Sequence, residues 1–90
     1  MSVRQEILET INEIAASEMH DKSAFNALTD ESEQIGKTGI DSFDFIMLFM
    51  KISEHYGMDN KIFKNNLTEG NPTAGAVIDL IEEHAMKVEA

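Results

Sequence analysis

A hydroxyl set between two carboxylates, just ahead of an apolar stretch, is the feature of this sequence best suited to chemistry: Gly39-Ile40-Asp41-Ser42-Phe43-Asp44. Asp41 is placed to act as a helix N-cap, and Asp44 follows three residues on, like the reciprocal acid of a capping box. Ser42 then falls in the first turn, beside backbone N–H groups without intrahelical partners and at the positive end of the helix dipole. Helix N-termini stabilise anions, so a phosphate ester formed on that hydroxyl would be favourably placed. Two readings stand: Asp41-Ser42 is an ordinary cap, or Ser42 is a point of attachment.

Other chemistries find less in the chain. His20, His55 and His84 are far apart and form no HExxH pattern, whereas a zinc site needs three or four converging ligands. No Gly-x-Ser-x-Gly elbow surrounds Ser42, so catalysis by this chain alone is not expected. A calcium loop starting at Asp30 would place Gln34 at position 5, Ile35 at position 6 and Asp41 at position 12. Such loops require Gly at position 6 and Glu at position 12. No metal site is expected. There are no cysteines, which excludes a disulfide framework or a thiolate metal site and leaves the chain without a thiol of its own. That composition fits a reducing compartment.

The elements that must hold Ser42 in place read as helices. From Val3 to Glu18, apolar residues recur at Val3, Ile7, Ile11, Ile14 and Ala15, with Ser2 as a candidate N-cap. A second helix is expected from Ser42 to Tyr56, ended by Gly57 as a left-handed C-terminal residue. Ile62, Phe63 and Leu67 support a short helix over 59–66. A last helix is expected over 73–87, with Ala74, Val77, Ile78, Ile81 and Ala85 on one side. No strand-like alternation persists. The expectation is all-α, a single four-helix bundle with a long loop over 19–41 between the first and second helices. Loops beyond about 12–15 residues are uncommon in compact domains and are functional or disordered. Phe25, Leu28 and Ile35 are spaced to pin this one over the helices, so an ordered crossing is expected.

The second helix has two apolar stripes. At about 100° per residue, Phe45, Leu48, Phe49, Ile52 and Tyr56 share one arc, the width of a core-facing stripe. Phe43, Ile46, Met47 and Met50 share another, nearly opposite. Asp44, Lys51 and His55 separate the two on one side and Ser53 on the other. Either the loop or the short helix buries the second stripe, or it stays exposed and meets other proteins. Methionines suit a surface that must fit several partners. Of the 17 carboxylates, only Asp44 and Glu54 lie between Ser42 and Gly57, so this helix carries few of the acids of an acidic chain.

At 90 residues the core is thin and no room remains for a cleft with catalytic groups on several walls. A net charge of −10 argues against nucleic acid, which demands clustered Lys and Arg. It favours attraction to basic protein surfaces. The opening MSVRQEILETINEI is amphipathic and lacks the apolar core of a signal peptide. No run approaches the roughly 20 apolar residues of a membrane span. A soluble, cytoplasmic monomer is expected.

The segment from Leu28 to Tyr56, LTDESEQIGKTGIDSFDFIMLFMKISEHY, resembles the acyl carrier protein family, in which a Gly-x-Asp-Ser-Leu motif opens the second helix after a long loop. AGAVIDLIEEH, from Ala74 to His84, is similar to that family's fourth helix, and the first helix fits in length and pattern. The resemblance implies that Ser42 receives 4′-phosphopantetheine from coenzyme A through a separate Mg²⁺-dependent phosphopantetheinyl transferase. The arm would end in the thiol that the chain lacks and carry acyl or aminoacyl cargo as a thioester. It further implies that Asp41 contributes to the transferase complex. Phe43, Ile46 and Met50 match positions where the family meets partner enzymes, and Asp44 and Met47 belong to the same expected surface. Those partners are a loading enzyme and downstream synthases or transferases. Phe49, Ile52 and Tyr56 match core positions bordering the cavity where some members shelter acyl chains.

The departures bear on pathway. Phe43 stands where Leu is usual and Met47 where fatty-acid carriers tend to have Glu, while Ser53 and His55 occupy sites often acidic in them. A greasier helix leans toward a specialised lipid, polyketide or nonribosomal-peptide pathway rather than primary fatty acid biosynthesis. The alternative is an unmodified helical adaptor that uses the second stripe alone.

Overall fold

Four α-helices form the bundle in a computed structural model that describes residues 2–67 and 71–85: α1 (Val3–Glu18), α2 (Ser42–Tyr56), α3 (Lys61–Asn66) and α4 (Ala74–His84). Each long helix starts at a side-chain cap. Ser2 accepts from the Gln5 N–H, Asp41 from that of Asp44 and Thr73 from that of Ala76, at 3.1, 3.1 and 3.2 Å. Satisfying one orphan N–H in this way is worth about 1 kcal/mol. Gly57 ends α2 with φ 69°, its N–H turned back to the carbonyls of Ser53 and Glu54. A residue without Cβ adopts that left-handed conformation at little cost.

The helices bury one face each. Ile7, Leu8, Ile11 and Ala15 of α1 meet Leu48, Ile52 and Tyr56 of α2 and Ala74, Val77, Ile78 and Ile81 of α4 in one core. Burying each large aliphatic side chain contributes roughly 1.5–3 kcal/mol against the entropy of folding. α3 packs on α4. It starts at Lys61, two residues later than the periodicity predicts, because Asp59 turns its carboxylate onto the Lys61 N–H at 2.9 Å. α4 gives way at Ala85, whose backbone is extended; the expected continuation to 87 lies outside the described residues.

The crossing between α1 and α2 is ordered, with 3-10 turns at Lys22–Ala24 and Ile35–Thr38. Leu28 and Ile35 are buried and Phe25 packs against the core. Asn12 of α1 clasps Leu28 from both sides, donating to its carbonyl at 2.9 Å and accepting its N–H at 2.7 Å. Farther on, the loop docks along the approach to α4. The Ile35 N–H reaches the Pro72 carbonyl, the Ala74 N–H that of Glu33 and the Gly75 N–H that of Glu31, each at 2.8 Å. Gln34 and Thr73 form an isolated antiparallel bridge there. A long loop is tolerated because its backbone polar groups find such partners.

Ser53 departs from its expected place at the polar boundary of α2. It is buried, and its hydroxyl has no hydrogen-bond partner. Ser53 lies in register with Ile46 and Phe49, and the chain folds back past it after Gly57, the Met58 N–H returning to the Ser53 carbonyl at 2.9 Å. That return covers a position that a view of α2 alone leaves at the surface.

Arg4 ties three segments together. Its guanidinium pairs with Glu31 of the loop and with Asp79 and Glu82 of α4. The hydrogen bond from Arg4 holds the Glu31 carboxyl below its ordinary value of 4.5, and the same carboxylates raise the Arg4 pKa. A carboxyl whose pKa is depressed by folding stabilises the folded state above its unfolded pKa, and that contribution fades as pH falls through the folded value. The melting-temperature gap between wild type and Arg4→Gln is therefore expected to be open at pH 7 and to close as the pH drops below about 4.5. A gap that stays constant down to pH 3 would assign Arg4 a packing role instead.

Candidate functional site at the head of helix α2

The turn before α2 is built to a fixed geometry. Thr38 is buried, its hydroxyl donating to the Ile35 carbonyl at 2.8 Å and accepting the Ile40 N–H at 3.4 Å. Gly39 has φ 93°, and its N–H closes the 3-10 turn on the Gly36 carbonyl at 3.0 Å. Ile40 is buried and anchors the chain immediately ahead of the helix. Asp41 is extended; its carboxylate takes the Asp44 N–H and its carbonyl the Phe45 N–H. Ser42 is the first residue of α2. The first N–H groups of any helix lack intrahelical acceptors, and Asp41 engages that of Asp44.

Gly39 has no room for a side chain. A Cβ there would sit 2.9 Å from the Ala24 carbonyl oxygen, in a conformation that L-residues rarely adopt. Gly39→Ala is expected to lower stability by about 1–3 kcal/mol in urea unfolding. An unchanged midpoint would mean that the loop yields freely, and that Ser42 is not held by this turn.

The structure separates the other residues singled out from the sequence into two groups. Phe43, Ile46, Met47 and Met50 form one outward ridge, 85, 67, 43 and 37% exposed. The second stripe is thus uncovered in the folded chain. Asp44 lies elsewhere: half-buried, with its carboxylate 3.5 Å from Nδ1 of the exposed His20. It makes no hydrogen bond back to the Asp41 N–H among those described, so the reciprocal half of a capping box does not form. Asp41, Asp44, His20 and Asp21 border a hollow of about 170 Å³ beside the head of α2. His55 stands edge-on to Tyr56, and His84 lies next to Glu83. No cluster of three or more metal-ligating side chains occurs among the described residues, and no helix among them is long and apolar enough to cross a membrane.

Beside the ridge runs a groove of about 550 Å³ between α2 and α3, lined by Ile46, Phe49 and Met50 on one wall and Asn60, Lys61, Phe63, Lys64 and Leu67 on the other. Phe49 and Phe63 stack at its floor, 5.2 Å between ring centroids. Phe63 is buried, and Phe49 is half-buried. Of the three positions that the resemblance puts at a cavity border, Phe49 lines this groove, while Ile52 and Tyr56 lie buried in the core; Lys61 and Lys64, which carry no periodic signal, are not legible in the sequence. Compared with protein-family models, with curated proteins and with solved structures, the chain matches none.

Proposed function

We propose that this chain is a carrier whose Ser42 bears a 4′-phosphopantetheine arm and whose α2 ridge is the face that partner enzymes meet. The observation that supports it most is the continuity of two features. The residue heading α2 follows an Asp41 cap in a rigid turn, and the exposed apolar ridge starts at the very next position, Phe43. An enzyme that works on Ser42 meets Phe43 and Ile46 in the same approach.

The helix tip favours an anionic ester, whereas the carboxylates beside it disfavour one. Asp41 caps a single N–H, so the helix tip keeps positive character for a phosphodiester. Asp21, Asp41 and Asp44 oppose it, which favours a divalent cation brought by the transferase during loading. In that step the Ser42 oxygen forms a new bond to phosphorus while the pyrophosphate bond of coenzyme A breaks. Adenosine 3′,5′-bisphosphate leaves with the bonding pair, and the hydroxyl proton passes to a base of the transferase. When attached, the arm supplies the thiol that a cysteine-free chain lacks, for acyl or aminoacyl cargo held as a thioester. Asp41 keeps the helix head capped, and the ridge orients the approaching partner. The apolar ridge, without a carboxylate at Met47, supports a specialised lipid, polyketide or peptide pathway.

The test is intact mass after incubation with coenzyme A, Mg²⁺ and a promiscuous transferase. Gain of one phosphopantetheine supports the carrier reading. If no transferase tried adds mass, an unmodified adaptor using the same ridge replaces it.

A further inference from the structure

We infer that the partner element seated on α2 is an amphipathic helix whose apolar face is flanked by carboxylates. The inference rests on the proposed reading of α2 as a docking face and names the chemistry of what docks there. It begins from charge. Acidic residues outnumber basic ones 17 to 7 in this chain, yet among the described residues the groove beside α2 is lined by two lysines and no carboxylate. Lys61 and Lys64 are both exposed and join no ion pair among the described residues. Asp59, the nearest acid in sequence to Lys61, has its carboxylate on the Lys61 N–H at the start of α3. The groove thus presents an apolar floor of Phe49 and Phe63 with a cationic rim, on a molecule whose net charge is −10.

The extent of the apolar surface decides between occupants. A small amphiphile lying in the groove would cover Ile46 and Met50 but leave Phe43 and Met47 in water. Phe43 to Met50 spans two turns, about 10 Å along the axis, and Ile46 and Met50 belong to both ridge and groove. A partner helix laid beside the ridge, with anchors at i, i+3/i+4 and i+7, covers both at once. Its carboxylate flank then meets Lys61 and Lys64. Net repulsion between two acidic proteins is screened beyond roughly 8 Å at physiological ionic strength, so the contact itself is governed by the local pair of lysines. The same arrangement rejects basic helices that the overall charge would otherwise attract.

Two synthetic amphipathic peptides with one shared apolar face, flanked either by Glu or by Lys, test this by titration into the ¹⁵N-labelled, unmodified protein. The Glu-flanked peptide is expected to shift amides of α2 and α3 and to bind about 2- to 30-fold more tightly than the Lys-flanked one, the range for two partly exposed ion pairs. Lys61→Gln/Lys64→Gln removes that preference while keeping the helical signal. Equal or tighter binding of the Lys-flanked peptide overturns the inference, as does an unchanged preference in the double variant. So does a result in which decanoate shifts the groove signals and neither peptide does. Because the protein is unmodified, none of these outcomes depends on whether Ser42 accepts phosphopantetheine, and the mass experiment can fail or succeed separately.

Discussion

Ser42→Ala is expected to abolish the mass gain that coenzyme A, Mg²⁺ and a phosphopantetheinyl transferase give the wild-type chain, and to leave its helical circular dichroism signal intact. The loss should be complete rather than partial. No cysteine is present to accept the group instead. Ser2, at the head of α1, is followed by Val3 and Arg4 and lacks the exposed apolar ridge that starts at Phe43. Ser53 is buried. Stability should be nearly untouched, because the N-cap of α2 belongs to Asp41. Ala is a good helix former, so the change is expected to fall within about 0.5 kcal/mol. Asp41→Ala provides the complementary variant: it removes the cap, costs about 1 kcal/mol, and leaves the acceptor hydroxyl in place. A Ser42→Ala protein that still gains one phosphopantetheine would place the attachment elsewhere. One that loses both mass gain and helicity would make Ser42 structural first.

What the sequence made legible here is what neighbours in the chain decide. Ser2, Asp41 and Thr73 announce helix starts because a cap acts within three residues, and Gly57 announces a stop because the turn it enables is local. The two stripes of α2 follow from spacing alone. Knowing which of them the molecule covers needs the rest of the bundle. The loop could be read as pinned by Leu28 and Ile35, but not its docking on α4, which joins Glu31 and Glu33 to residues some 40 positions away. Ser53 was misplaced for the same reason: the chain that buries it comes back only after the helix has ended. Asp44 had a local partner in view at Asp41, but the fold brought it to His20 instead. Lys61 and Lys64 read as ordinary surface charges. Their meaning comes from lining a groove that only packing creates, with no carboxylate beside them in its lining among the described residues.

The sharpest division within α2 lies between two adjacent residues. Leu48 is fully buried, and Met47 is 43% exposed. Leu48→Ala should cost about 2–5 kcal/mol, from lost transfer energy and the cavity left in a core shared by α1, α2 and α4. Against a total of about 5–15 kcal/mol for a domain, that brings the chain near unfolding. Met47→Glu and Met50→Glu should each move the urea midpoint by no more than about 0.5 kcal/mol, as surface substitutions do, and yet weaken docking to partner enzymes about tenfold or more, the usual cost of removing a central apolar contact. Met47→Lys separates shape from charge. Toward an acidic partner helix Lys should retain more docking than Glu, since both lose the thioether contact and only Glu adds repulsion. If Met47→Glu lowers the midpoint as far as Leu48→Ala, the ridge is part of the core. If both glutamate variants dock as wild type does, partners approach Ser42 by another face, and the ridge must be exposed for some other reason.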